Sequence, residues 1–291
     1  MKNQTEQLIK ERAAKAFNTT PEEIKIVNRL MGGMSHLTYH IEFNCVGYTY
    51  RVIGKDGNLF VDRKIELDNL NRIKPLGLNN ETVYFDVESG DKAAKFVEGD
   101  VLTTLDFKQH LDDVVKMLKT LHESSIKPAS DYGLIDRLNL YESFTNENDP
   151  LYDQLKKIWI DKYLNERANK PKVFCHNDAQ RSNMVIGKEK LYLLDWEYAG
   201  YNEFYYDIAS FGNVAFEDAL LLLNAYLGRD ATKEEQDLVR FYRMFQALQW
   251  HQVATRKDMV GLSEVVGFDF KMLAKKYLNL AQTLYNEIDK A

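Results

Sequence analysis

Two short apolar runs, each followed closely by an aspartate, place the strongest constraint on how this chain can fold. Val173–Cys175 leads into a loop that contains Asp178, and Leu191–Leu194 is followed directly by Asp195. Asn183 lies between them, at i+5 from the first aspartate. Runs of this length read as strands, and the spacing leaves room for one short hairpin between the two carboxylates. The pattern therefore predicts two carboxylates and an amide presented from neighbouring strand ends.

Phosphoryl transfer from ATP needs this set of side chains. One carboxylate orients the hydroxyl of the acceptor, while an amide and a second carboxylate hold the magnesium that neutralises the phosphates. Asp178 is thus predicted to be the catalytic base, and Asn183 and Asp195 the ligands of Mg²⁺, which prefers oxygen. Each residue alone could be a turn residue or the end of a strand, but their combination predicts a kinase with ATP as co-substrate.

The first hundred residues supply the groups expected around the phosphates of ATP. Alternating apolar residues predict a β-hairpin over residues 39–52, and a charged helix should follow over residues 61–73. Arg51 on the second strand and Glu66 on the helix match the strand cation and helix carboxylate of kinases, with Arg replacing Lys. A glycine-containing loop precedes the hairpin, and its Gly33 and Ser35 are predicted to contact phosphate.

The order of the predicted elements indicates an α+β, protein-kinase-like fold with two lobes. Strands dominate the part of the chain before Gly99, whereas six helices are predicted after it, together with three short strands around the aspartate motif. Residues 1–98 are expected to form a small, β-rich nucleotide-binding lobe. Residues 99–291 should form a larger helical lobe with the catalytic loop and the acceptor site.

Composition and charge exclude several other classes of protein. The net charge of −6 argues against nucleic acid as a partner, since that partner calls for a basic surface. Cys45 and Cys175 are the only cysteines, too few for a disulfide framework or a zinc site. The N-terminus lacks a signal-peptide pattern, and no apolar run is long enough to cross a bilayer. A cytoplasmic protein without membrane insertion is expected, while the oligomeric state stays open.

The motif residues also carry a resemblance to a known family. His176-Asn177-Asp178 with Asn183, followed by Asp195–Gly200 and Tyr206–Ala209, resembles the choline/ethanolamine kinase family. Arg51–Gly54 extends the resemblance towards the N-terminus. This family belongs to the aminoglycoside-phosphotransferase-like, protein-kinase-like superfamily, and its bacterial choline kinase branch is the most similar part.

The resemblance implies further roles for individual residues. It implies that the backbone of Phe96 and Val97 contacts adenine and that His176 and Asp207 support the catalytic loop. It also implies that the acceptor is contacted by Glu197, Tyr198 and Trp250. For a trimethylammonium group, the family uses an aromatic cage, because cation–π contacts replace the lost hydration. Trp250 matches the helix that carries the cage tryptophan.

The acceptor is the part of the function that the sequence leaves open. Many relatives have a second aromatic residue about one turn after the cage tryptophan, whereas this chain has Val253. Choline is the expected acceptor, with ethanolamine, thiamine or an aminoglycoside as alternatives. A nucleotide-binding regulator without catalysis is a further alternative, although Asp178, Asn183 and Asp195 are all present.

Overall fold

The computed structural model describes residues 2–30, 36–54, 56–145 and 149–289. It divides into two compact units, named here the sheet unit and the helical unit. The sheet unit comprises residues 1–121, 125–130 and 181–199, and the helical unit comprises residues 122–124, 131–180 and 200–291. The lobe boundary expected at residue 98 stays a prediction, and the sheet unit extends past it to include the segment of Asn183 and Asp195.

The sheet unit contains a five-stranded antiparallel sheet in the order β1-β2-β3-β5-β4. Its strands are β1 (Lys25–Leu30), β2 (His36–Phe43), β3 (Val46–Ile53), β4 (Thr82–Phe85) and β5 (Lys92–Lys95). Asn44 and Cys45 both have positive φ, as the tight turn between β2 and β3 requires. The alternating apolar side chains of the hairpin, such as Ile41 and Tyr50, are buried in one core with Ile9 of α1.

A smaller sheet in the same unit carries the second aspartate of the motif. It has the order β6-β8-β9 and consists of β6 (Gly99–Val101), β8 (Met184–Gly187) and β9 (Leu191–Leu193). The helices that begin in this unit are α1 (Lys2–Phe17), α2 (Arg63–Ile73) and α3 (Leu111–His122). Asp62 caps α2 by accepting the backbone N–H groups of Lys64 and Ile65, so the helix begins two residues later than predicted.

The helical unit packs around α8, a helix of 27 residues whose side chains are mostly buried. Its helices are α4 (Leu134–Ser143), α5 (Pro150–Lys162), α6 (Tyr205–Phe211), α7 (Phe216–Leu227), α8 (Lys233–Met259), α9 (Leu262–Val266) and α10 (Phe270–Asp289). Trp159 stacks on Phe241 with ring centroids 4.7 Å apart, and its indole N–H donates to the Phe241 carbonyl. Two short strands, β7 (Val173–Cys175) and β10 (Gly200–Asn202), pair antiparallel and carry the first aspartate loop.

The structure confirms the predicted α+β class, with an antiparallel sheet near the N-terminus and a mostly helical remainder. All six helices predicted after Gly99 are present, with ends shifted by a few residues. Two helices, α4 and α9, were not predicted. Among the described residues, no helix combines the length and the apolar character needed to span a membrane.

Candidate active site

The predicted catalytic loop, in the helical unit, turns sharply at Asn177, which has a left-handed backbone with φ +62°. Asn tolerates this conformation better than most residues. Its side-chain amide lies against the paired strand, because Nδ2 donates to the Gly200 carbonyl at 3.3 Å and Oδ1 accepts from Asn202 Nδ2 at 2.9 Å. The turn and its anchors set the position at which the chain presents Asp178.

Asp207 holds the same loop from α6. Its carboxylate accepts the backbone N–H of His176 at 2.8 Å and of Asn177 at 2.7 Å. His176 contributes through its ring, since Nδ1 accepts the backbone N–H of Asp178 at 3.2 Å. The two residues for which the resemblance implied a supporting role therefore lie in direct contact with the backbone of the loop.

Gln180 contacts the side chain of Asp178 directly. Its Nε2 donates to Asp178 Oδ2 at 3.0 Å, and its own oxygen accepts from Asn213 Nδ2. One oxygen of the Asp178 carboxylate is thus engaged by an amide donor. Gln180 was not among the predicted site residues, and the available signal was its place two positions after the aspartate.

In the sheet unit, the two predicted magnesium ligands lie on adjacent segments. The backbone N–H of Leu194 donates to the Asn183 carbonyl at 2.7 Å, which ties the segment before β8 to the end of β9. Asp195 follows with φ +65°, a left-handed conformation that Asp also tolerates. Its side chain is 37% exposed, so the carboxylate remains open to a ligand.

Arg51 connects three of the predicted residues within the sheet unit. Its guanidinium lies 2.9 Å from the Glu66 carboxylate and 3.1 Å from that of Asp195, and Glu197 follows at 3.6 Å. Lys92 adds a second cation 3.1 Å from Glu66. The predicted pair of strand cation and helix carboxylate is therefore formed, and its arginine also contacts Asp195, one of the two predicted magnesium ligands.

Glu197 lies in the same group of charges. Its carboxylate accepts from Arg63 at 2.8 Å and lies 3.1 Å from His36 Nε2. Burial alone would raise the pKa of this carboxyl, but His36, Arg51 and Arg63 lower it well below the ordinary value. Its predicted contact with the acceptor stays a prediction. We call Arg51, Arg63, Glu66, Lys92, Asp195, Glu197 and His36 the ion-pair cluster.

The buried ion pairs of Glu66 make the free energy of unfolding depend on pH in the acid range. Burial would raise its pKa, but Arg51 and Lys92 lower the pKa to about 2 from the ordinary value of 4.5. A carboxyl with a lowered folded-state pKa stabilises the protein fully above its unfolded-state pKa and loses that contribution as the pH falls to the folded-state value. The loss should therefore occur between pH 4.5 and about 2.

We expect Glu66→Gln to lower the free energy of unfolding at pH 7 by about 3–5 kcal/mol, because the substitution leaves buried cations without their partner. The difference from the unsubstituted protein should shrink as the pH falls below 4.5. Urea unfolding at several pH values measures both effects. Glu81→Gln is the matched control, since Glu81 pairs with Lys95 on the surface of the same sheet. A constant difference across the pH range would contradict the assignment.

The remaining predicted residues lie at several places. The backbone N–H of Phe96 donates to the Gly47 carbonyl at 3.0 Å, its ring stacks on His40, and Val97 is half-buried beside it in sequence. Tyr198 is buried in the sheet unit. Trp250 is half-buried on α8 of the helical unit. Gly33 and Ser35 lie outside the described residues.

The fold is that of kinase-like phosphotransferases. The crystal structure of choline kinase LicA from Streptococcus pneumoniae aligns with a TM-score of 0.76 at 21% identity, covering 99% of this chain and 100% of that one. A spectinomycin phosphotransferase in complex with ADP and spectinomycin aligns more distantly, with a TM-score of 0.54 at 14% identity and coverage of 89% and 92%. These likenesses extend across both units.

The chain belongs to the choline/ethanolamine kinase family, because the model of that family matches residues 27–220. It is also 25% identical over 275 residues to the protein LicA of Haemophilus influenzae, covering 89% of this chain and 79% of that protein. An uncharacterized protein of Mycoplasma pneumoniae is 26% identical over 268 residues, with coverage of 90% and 88%. The predicted family is confirmed, and the protein is a small-molecule kinase.

Proposed function

We propose that this kinase transfers the γ-phosphoryl group of ATP to the hydroxyl of choline and forms phosphocholine. Asp178 orients the acceptor hydroxyl and takes its proton, while Arg51, held by Glu66, contacts the phosphates. The observation that carries the proposal is the contact of Arg51 with both Glu66 and Asp195. Through it, the cation proposed to contact the phosphates lies beside a candidate metal ligand. A cytoplasmic location, where ATP is available, is part of the proposal.

The proposed magnesium ligands fit the chemistry of that ion. Asn183 offers an amide oxygen and Asp195 an exposed carboxylate, and Mg²⁺ takes few protein oxygens because water and phosphate complete its shell. When bound, the ion would neutralise charge on the transferring phosphate. Contact with Arg51 orients the Asp195 carboxylate before any ligand arrives.

Charge in the helical unit suggests which end of the acceptor lies near Asp178. Arg243 of α8 is buried and donates to Gln246 at 3.1 Å and to the Asn213 carbonyl at 3.4 Å. Burial lowers its pKa, while Tyr277, Tyr206 and Asp178 act in the opposite direction. A cation near Asp178 suits the hydroxyl and phosphate end of the acceptor and repels an ammonium group.

Trp250 stands two helical turns after Arg243, roughly 10 Å further along α8. An ammonium group is therefore proposed to lie at the tryptophan end, away from the charge of Arg243, where a cation–π contact is available. Val253, which replaces the second aromatic residue of many relatives, is buried at 4% exposure. We therefore propose Trp250, rather than position 253, for the contact of this helix with the ammonium group.

The choice of acceptor is tested by measuring ADP release with Mg-ATP and a panel of choline, ethanolamine, thiamine and kanamycin. Choline should give the highest kcat/KM. A clear preference for another member would replace choline but keep the kinase chemistry. If ATP binds and none of the four acceptors is phosphorylated, the proposed reaction with choline is wrong.

We expect Trp250→Leu to raise the KM for choline by about 3–30-fold, the range of one cation–π contact. The KM for ATP should not change. Trp159→Phe, in the core of the same unit, is the matched control for the loss of an indole. Equal KM values for choline in the two variants would remove Trp250 from the acceptor site.

A further inference from the structure

Behind the catalytic loop, three buried side chains form a hydrogen-bonded row that the proposed reaction does not use. His122, at 5% exposure, lies with Nε2 3.0 Å from Asp207 Oδ2 and Nδ1 3.0 Å from the Tyr226 hydroxyl. The same Asp207 carboxylate accepts the backbone N–H groups of His176 and Asn177. The row therefore ends on the two residues that immediately precede Asp178.

A metal site is the first alternative for this cluster, since ligand atoms of His122, Cys175 and Asp207 lie within 4.8 Å of one another. Each atom, however, already has a protein partner. Asp207 accepts three hydrogen bonds, and the Cys175 thiol faces the Asn202 carbonyl at 3.5 Å. Burial raises the pKa of this thiol well above its ordinary value, which disfavours the thiolate that a metal requires. The geometry favours a hydrogen-bonded support.

The directions of the hydrogen bonds follow from the partners. A carboxylate that accepts two backbone N–H groups also accepts from His122, so Nε2 carries the hydrogen. On the other side of the ring, Nδ1 lies 3.0 Å from the Tyr226 hydroxyl, and this second contact fixes the orientation of the imidazole. His122 thus limits the rotation of the Asp207 carboxylate, whose two oxygens must meet two successive N–H groups.

We propose that His122, oriented by Tyr226, is a positioning residue that sets the catalytic loop through Asp207. The loop depends on this support because the Asp207 carboxylate must accept two successive backbone N–H groups, those of His176 and Asn177, at a sharp turn. The inference rests on the proposed role of Asp178, since the row acts only by placing that residue. Small displacements of a reacting group cost much of the rate, about 10²-fold for 1 Å.

Three substitutions of His122 separate positioning from general stability. Gln is long enough to place an amide N–H near the former Nε2, whereas Asn places one near Nδ1 and cannot reach Asp207. We expect His122→Ala and His122→Asn to lower kcat by about 10–100-fold, with the KM for ATP unchanged. His122→Gln should restore most of the rate, and Tyr226→Phe should cost about 5-fold, the effect of one hydrogen bond.

Backbone amide exchange, measured by mass spectrometry on a peptide that spans residues 173–183, gives a readout independent of activity. His122→Ala and His122→Asn should accelerate exchange there, because the N–H groups of His176 and Asn177 lose a fixed acceptor. His122→Gln should exchange like the unsubstituted protein. Trp159→Phe, which removes a buried hydrogen bond elsewhere in the unit, should leave kcat and this peptide unchanged.

Two results would overturn the proposal. One is a kcat within about 2-fold of the unsubstituted value in all three variants of His122. The other is an equal loss in the Gln and Asn variants without a change in exchange of the loop, which indicates destabilisation alone. Asp178→Asn distinguishes failure of this inference from failure of the proposed function. If Asp178→Asn is inactive while His122→Ala is fully active, only the role of His122 fails. If Asp178→Asn is fully active, the proposed function fails first.

Discussion

Replacement of Asp178 by Asn is expected to lower kcat by about 10²–10⁴-fold, the contribution of a well-placed general base. Asn keeps the size of the side chain and an oxygen that can accept from Gln180, so the loop should keep its geometry. The carboxylate charge and the proton acceptor are lost. Steady-state ADP release with choline and Mg-ATP measures the rate, and titration with a non-hydrolysable ATP analogue should give an unchanged Kd.

The matched control is Asp153→Asn, which neutralises an exposed aspartate on α5 of the same unit. It should leave kcat within about 2-fold, because isolated surface charges contribute little. An Asp178→Asn protein with near-normal turnover would show that the proton is taken by another group. A protein that loses ATP affinity as well as kcat would show that Asp178 contributes to nucleotide binding rather than to base catalysis alone.

The central residues of the site could be predicted because the information is local in sequence. Asp178 and Asp195 each follow a short apolar strand, and Asn183 directly precedes another. The turns at Asn177 and Asp195 use the residue types that tolerate positive φ. The pair Arg51 and Glu66 could also be predicted from the sequence, since a hairpin followed by a helix has few ways to bring a strand cation to a helix carboxylate.

The contacts that surround these residues could not be predicted in the same way. Glu197 meets Arg63 and His36, which lie 134 and 161 positions away in sequence, and no periodicity reports a contact over that separation. His122 and Asp207 are 85 positions apart, and each alone is an ordinary residue of a helix. Such pairs depend on how helices and strands pack, which a single sequence does not encode as a pattern.

Two helices were missed for a local reason. Both α4 and α9 begin after a glycine in the left-handed conformation, Gly133 and Gly261, rather than after a capping Ser, Thr, Asp or Asn. The α9 helix has only five residues, too few for a helical period to show. Tertiary packing, rather than a start signal in the sequence, stabilises such short helices.

Replacement of Asp195 by Asn should have the other large effect on the rate. The substitution removes one negative charge from the proposed metal site while keeping a residue type that accepts φ +65°. We expect kcat to fall by about 10³-fold, because a metal ion stabilises the transferring phosphate by several kcal/mol. The Mg²⁺ concentration needed for half-maximal rate should rise, since a carboxylate is the strongest protein ligand available there.

The contact between Asp195 and Arg51 makes a second explanation of such a loss necessary, since Asn also weakens that ion pair. Titration with Mn²⁺, followed by electron paramagnetic resonance in the presence of an ATP analogue, separates the two. Loss of a metal ligand weakens Mn²⁺ binding, whereas loss of the ion pair alone leaves it unchanged and contradicts the metal assignment. Asp68→Asn, which breaks the surface pair with Arg72, is the control and should alter neither quantity, because exposed helix pairs contribute about 0.3–0.5 kcal/mol.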